Sequence, residues 1–258
     1  MIIASFNVNS VRQRIEHLTR WLKARAPDIV CLQELKCVDE AFPRGEIEAL
    51  GYNVATHGQK TFNGVAILSK FPIEVEHRGI PGFADEQARY IEVVASVPDG
   101  AVRVCGVYFP NGNPAPGPKF DYKLAFMDAL TAHAKGLLAL EERLIIAGDY
   151  NIIPEARDAK YPEAWVHDAL ALPESRAAMR RLEALGFTDA LRATSDAAGL
   201  YTFWDYQAGA WQRNNGIRID HLLLSPLAAD RLKRMGIDKD LRAEEKPSDH
   251  VPIWCELG

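Results

Sequence analysis

The chain has 258 residues, of which 48% are hydrophobic and 25% charged, a balance that excludes a disordered, fibrous or collagen-like polymer and fits an enzyme with a sizeable core. A formal net charge of −5 excludes attraction of a polyanion by bulk basicity, so any such partner must meet a local array of Lys and Arg.

In chain order, the N-terminus opens directly on an apolar run, Ile2 to Phe6, that predicts a buried strand. No basic stretch precedes it of the kind that begins a secretory leader, so an intracellular, cytoplasmic protein is expected. A helix is predicted over Val11 to Arg25 with Ser10 as its cap, then a strand over Ile29 to Leu32 and a short helix over Pro43 to Leu50. Strands follow at Val65 to Leu68, Tyr90 to Val97 and Val102 to Tyr108. The Pro/Gly/Asn segment Pro110 to Pro118 can continue neither strand nor helix and must be a surface loop. Beyond it the pattern predicts a helix over Lys119 to Leu140 with Asp121 as its cap, and a strand over Leu144 to Ala147. The remaining elements are a helix over Ser175 to Leu185, a strand over Ile219 to Leu224, a helix over Leu227 to Lys233 and a strand over Val251 to Cys255.

Strands and helices alternate with no linker or low-complexity tract, which predicts one α/β domain spanning residues 1–258. Phe6-Asn7-Val8-Asn9 and Asp149-Tyr150-Asn151-Ile152 echo one another, each placing polar groups directly after an apolar strand; this suggests two sheets packed face to face. No apolar stretch reaches the roughly 20 residues that span a bilayer, so no membrane contact is expected. Cys31, Cys37, Cys105 and Cys255 are scattered without a Cys-x-x-Cys pair and read as reduced structural thiols. The seven histidines form no ladder that would hold zinc.

The chemistry is suggested by polar residues that recur where predicted strands end: Asn7, Gln33-Glu34, Tyr108, Asp149 with Asn151, and Asp249-His250. Carboxylates and amides without thiolates suit a hard divalent cation such as Mg²⁺, which takes one or two carboxylates, keeps waters and shares substrate phosphate. The same groups suit phosphodiester hydrolysis, where water must be oriented and charge neutralised on phosphoryl and leaving oxygens.

Pro27 to Lys36 and Asn214 to Ser225 resemble two long signatures of the exonuclease III family of apurinic/apyrimidinic endonucleases. Gly64 to Ser69, Gly148 to Asn151 and Ser248 to Pro252 fall in that family's order, so the resemblance spans the chain. It implies a four-layered α/β sandwich, two central mixed β-sheets flanked by helices. It further implies a Mg²⁺-dependent, Mn²⁺-tolerant nuclease with one or two ions, hydrolysing DNA 5′ of abasic sites, with 3′-5′ exonuclease and 3′-end-cleaning activity. The expected partner is double-stranded DNA with abasic sites or 3′ ends, met by a monomer.

By resemblance, Glu34, Asn7 and Asp249 hold metal, with Asp149, Asn151 and His250 available to it. Asp149 aligns the attacking water or takes its proton, Asn151 donates to the same oxygens, Asp220 orients His250 toward the phosphate, and Tyr108 lies near the phosphate or the departing oxygen. Arg89 and Arg218 are expected at phosphates or in the framework, and Phe203, Trp204 and Ile219 at an apolar pocket for a baseless sugar. Arg12, Arg14, Lys36, Lys60 and Lys119 are candidates for the DNA track. The sequence departs from the family at Asp189 to Arg192 and at Asn9, an amide where some relatives carry a carboxylate. The alternative is a phosphatase or phosphodiesterase of the same superfamily acting on inositol phosphates, lipids or RNA.

Overall fold

The computed structural model describes residues 1–258. In chain order the elements are β1 (Ile2–Asn7), α1 (Ile15–Arg25), β2 (Ile29–Gln33), α2 (Arg44–Glu48), β3 (Asn53–His57), β4 (Val65–Ser69), β5 (Ile73–Arg78), β6 (Tyr90–Val97) and β7 (Gly100–Tyr108). They continue with α3 (Pro118–Leu138), β8 (Leu144–Asp149), α4 (Pro173–Glu183), β9 (Thr188–Asp189), α5 (Ala190–Thr194), β10 (Asp220–Leu224), α6 (Pro226–Ala229), β11 (Leu232–Ile237) and β12 (Ile253–Leu257).

Two six-stranded sheets result, ordered β11-β12-β1-β2-β4-β3 and β5-β6-β7-β8-β10-β9. Each holds one parallel pair, β1 with β2 and β7 with β8, among antiparallel neighbours. The central strands are buried on both faces, which is why they read as unbroken apolar runs rather than as alternating ones.

Between the sheets lies a core that includes Cys31, Ile67, Ile91, Val104, Ile145, Ala147, Leu222 and Ile253. At its middle Gly106 permits a close approach: a Cβ there would stand 3.3 Å from Ile91 on the neighbouring strand and 3.4 Å from Ile67 across the interface. The outer face of the first sheet is covered by α1 through Leu18, Trp21 and Leu22, spaced i, i+3, i+4. The outer face of the second is covered by α3 through Phe126, Met127, Leu130, Ala134 and Leu137, and by α4 through Ala178, Met179 and Leu182. Helix, sheet, sheet, helix is the four-layered arrangement that the resemblance implied. No helix is long and apolar enough to cross a membrane, and all four cysteines are buried and unpaired.

Local expectations need correction in three places. The helix predicted over Leu227 to Lys233 is a single turn, α6, after which the chain extends as β11 and pairs with β12; strand pairing overrides the local helical preference. Ser10 does not cap α1, because the chain makes an additional turn and Arg14 occupies the cap. Asp121 lies inside the first turn of α3, whose cap is Gly117.

Candidate active site

A parallel pair brings two strand ends to one rim, and this fold has such a pair in each sheet. Asn7 pairs with Gln33, the residue before Glu34, in one sheet; Tyr108 pairs with Asp149 in the other. The antiparallel β10 begins where β8 ends, so Asp220 stands opposite Asp149. The segment before β12 brings Asp249 and His250 to the same place, and Phe203 bridges to His250. The chain is bent sharply here: Asn9, Glu34, Lys36 and Asn151 have φ of 43°, 52°, 53° and 48°, a left-handed conformation uncommon outside glycine and concentrated at functional sites.

Asn7, fully buried, joins the two sheets. Its Nδ2 donates to Glu34 Oε1 at 2.9 Å and to Asp149 Oδ2 at 3.0 Å, while its Oδ1 accepts the Asn9 backbone N–H at 3.0 Å. Turning the amide over would set donor against donor at Asn9, so in this arrangement Asn7 turns its nitrogen toward the two carboxylates. Glu34 Oε2 accepts from Lys36 Nζ at 2.9 Å. Burial would raise this carboxyl, but the Lys36 charge, hydrogen bonds from Asn7 and Lys36, and the His250 charge hold it below its ordinary value.

Asp149 is buried and accepts the Asn151 backbone N–H at 2.9 Å. Burial, with Asp220 nearby, lifts its pKa well above the usual carboxylate value against the opposing pull of His250. Asn151 Nδ2 donates to the Phe109 carbonyl at 2.9 Å, and its Oδ1 lies 3.5 Å from Asn111 Nδ2. His250 sits between two carboxylates, with Nδ1 2.9 Å from Asp220 Oδ2 and Nε2 3.6 Å from Asp149 Oδ2. Burial disfavours its charge, but Asp220 and Asp149 outweigh that and hold the ring as a cation. In this charged form the ring is a donor, with its Nε2 close to the Glu34 and Asp149 carboxylates. Thr202, which the sequence reading missed, donates to Asp220 Oδ2 at 2.6 Å and fixes the far end of this relay.

Burial and the facing Glu34 and Asp149 charges push the Tyr108 phenol well above the usual tyrosine value, keeping it a donor. Arg89 stacks on the Tyr108 ring at 4.7 Å and donates to its carbonyl at 3.2 Å. Asp249 Oδ1 accepts from Asn9 Nδ2 at 3.0 Å, so Asn9 ties this carboxylate in rather than adding another.

Glu34, Asp149 and His250 present atoms within 4.8 Å of one another. The network joins the carboxylates Glu34, Asp149, Asp220 and Asp249 to the cations Lys36 and His250. Its acidic excess and its oxygen donors, with no thiolate among them, fit a hard divalent cation beside Glu34 and Asp149.

Phe203 packs against the His250 ring with centroids 5.0 Å apart. It lines a groove of about 280 Å³ with Trp165, Ile217 and Arg213; Trp165 and Ile217 were not anticipated. Ile219 is buried behind this wall. Trp204 has no exposed surface and points the other way, into a cluster with Tyr201 and Val251, so its assignment to a DNA pocket is corrected: neighbours on extended chain face opposite sides.

Arg218 likewise belongs to the framework. It is 1% exposed and pairs with Asp158 Oδ1 at 2.6 Å and Asp189 Oδ2 at 2.7 Å, leaving nothing for a phosphate. Arg89 lies with its guanidinium on the Tyr108 ring and donates to Gln87 Oε1 at 2.9 Å. Asp189, in the segment that departs from the family pattern, also caps α5 through the Leu191 and Arg192 backbone N–H groups. Arg218→Met is expected to cost about 3–5 kcal/mol by leaving buried Asp189 without its guanidinium and Asp158 with Arg192 alone, read as a lower thermal unfolding midpoint; a loss under about 1 kcal/mol would show that the pairs contribute little.

A profile of the endonuclease/exonuclease/phosphatase family matches residues 4–250. The chain is 37% identical over 266 residues to exodeoxyribonuclease III of Haemophilus influenzae, with 100% of both chains covered. Among solved structures, the Neisseria 3′ phosphatase NExo bound to a product DNA hairpin superposes with a TM-score of 0.96 at 37% identity, covering 100% of this chain and 99% of that one. An AP endonuclease from Archaeoglobus fulgidus gives 0.93 at 33% identity, again covering 100% and 99%. The full-length matches are to DNA repair nucleases. The chain belongs to the exonuclease III/AP endonuclease family within the endonuclease/exonuclease/phosphatase superfamily, and is a phosphodiester hydrolase of the DNA repair nuclease type.

Proposed function

We propose that the protein, acting as a monomer inside the cell, hydrolyses phosphate esters of duplex DNA at 3′ ends and 5′ of abasic sites, with Mg²⁺ or Mn²⁺ as cofactor. The observation that carries this reading is the Asn7 bridge, which locks Glu34 and Asp149 together opposite the Asp220–His250 pair. The likeness to the Neisseria 3′ phosphatase favours 3′-terminal phosphates among these substrates.

When bound at Glu34 and Asp149, a divalent cation supplies positive charge to phosphoryl oxygens. The protein's own groups do the rest. Asp149 aligns the attacking water or accepts its proton, and Asn151 holds that water through its remaining amide hydrogen. The His250 cation, fixed through Nδ1 by Asp220, donates toward the phosphoryl oxygens. Tyr108 is the phenol available to the departing oxygen, and the apolar groove at Phe203, Trp165 and Ile217 shields a baseless sugar or terminal nucleotide from water.

Rates on duplexes bearing a 3′-phosphate, a tetrahydrofuran abasic site or an intact blunt end test this directly. The 3′-phosphate is expected to be released with the highest kcat/KM, abasic incision to follow, and blunt ends to be digested most slowly. Absence of turnover on all three with Mg²⁺ present would overturn the reading.

A further inference from the structure

Lys123 is a lysine in the second turn of α3 with no exposed surface, and it makes no ion pair; burial pulls its pKa down to about 7, and hydrogen bonds favour the ammonium. Its Nζ donates to three backbone carbonyls instead: Asn151 at 2.6 Å, Asn111 at 3.1 Å and Ala169 at 3.2 Å. Three acceptors around one ammonium use all three of its hydrogens. Each acceptor lies on a different segment: the loop after β7, the turn after β8 and the stretch before α4. An ordinary helix needs no such residue, since burying an ammonium without a counter-charge is expensive unless the hydrogen bonds are complete.

The surroundings are built to admit this side chain. Gly112 has φ of +91°, and a Cβ there would stand 2.7 Å from Lys123 Cδ, so the lysine stem occupies the space that glycine vacates. A second set of bonds links the same three segments. Asn113 Oδ1 accepts the Ala169 backbone N–H at 3.0 Å, Asn113 Nδ2 donates to Asp168 at 3.0 Å, and Asn111 faces Asn151. Asn151 has a left-handed backbone, with its carbonyl held by Lys123 and its side chain by the Phe109 carbonyl.

We infer that Lys123 is a positioning residue for hydrolysis, clamping the carbonyls of Asn111, Asn151 and Ala169 so that the Asn151 amide is held beside Asp149. The inference rests on the reading of Asp149 and Asn151 as the pair that handles the attacking water. Misplacement of a reacting group by about 1 Å costs roughly 10²-fold in rate, and loss of the clamp acts on that scale.

The test is a double-mutant cycle on the 3′-phosphate duplex with full-length protein and Mg²⁺. Lys123→Met, of similar length and without donors, is expected to lower kcat by about 10²-fold with KM within about 3-fold. In an Asn151→Ala background the same change is expected to add less than about 3-fold, because a residue that acts through Asn151 has nothing left to position. Losses that multiply, a rise in KM at constant kcat, or a lowered melting point with unchanged kcat would each overturn the inference. If Lys123→Met does not fold, Gly112→Ala, which presses on the lysine stem and keeps the ammonium, carries the same cycle with a smaller kcat loss expected; unchanged kcat there overturns it. If Asn151→Ala alone leaves turnover intact, the underlying reading of the water site fails instead.

Discussion

Replacing Asp149 by asparagine is expected to lower kcat on a 3′-phosphate duplex by roughly 10³-fold while leaving DNA affinity unchanged or tighter. The carboxylate is buried and accepts from Asn7 and from the Asn151 backbone. An asparagine has nearly the same shape but accepts on one atom only. Its NH₂ must face either the Asn7 amide or the Asn151 N–H, so the variant loses the proton acceptor together with one of these two hydrogen bonds. Neither change touches the surface that meets DNA, and one negative charge fewer near a phosphate favours binding. Single-turnover rates with Mg²⁺, and fluorescence anisotropy of labelled duplex in EDTA, separate the two effects. Loss of binding in step with rate would recast Asp149 as a structural support.

Removal of divalent metal is expected to bring hydrolysis to background, with Mg²⁺ or Mn²⁺ restoring it and Zn²⁺ alone failing to do so. Glu34→Gln is expected to raise the Mg²⁺ concentration for half-maximal rate by at least about 10-fold. The reason is the imbalance of charge: Lys36 and His250 offset only part of the four acidic groups around them, and Glu34 stays ionised because Lys36 and Asn7 donate to it. A readout independent of turnover is the melting temperature, which Mg²⁺ should raise in the wild type and not in Glu34→Gln. Full activity in EDTA, or rescue by Zn²⁺ only, would contradict the oxygen-donor site.

The central strands were legible because burial on both faces leaves little room for polar residues. The strands missed were β3, β5, β9 and β11, all at or beside sheet margins. β5 alternates Ile73 and Val75 with Glu74 and Glu76, and β11 carries Lys233, Arg234 and Gly236, polar content typical of edges, where long apolar runs would invite aggregation. At the site, the identity of the polar residues after each strand was readable, since nothing else in the sequence pairs acidic and amide groups so regularly with strand ends. Their orientation was not. Which end of the Asn7 amide faces Glu34, or that His250 lies between two carboxylates, depends on where the fold brings Asp149, more than 100 residues from either in sequence. Arg218, Arg89 and Lys123 look like solvated charges in a linear pattern; only the folded chain shows them enclosed, each satisfied by groups from other segments.

Glu34 hangs from one sheet and Asp149 from the other, with the Asn7 amide as the tie between them. The distance separating them is therefore gauged by the apolar filling between the sheets, where Cys31, Ile67, Ala147 and the missing side chain of Gly106 meet. A single methyl added to that seam would act as a shim, splaying the jaws of the reaction centre from a point no substrate ever reaches, and a screen for inactive variants would find such positions scattered through the interior rather than ringed around the cleft.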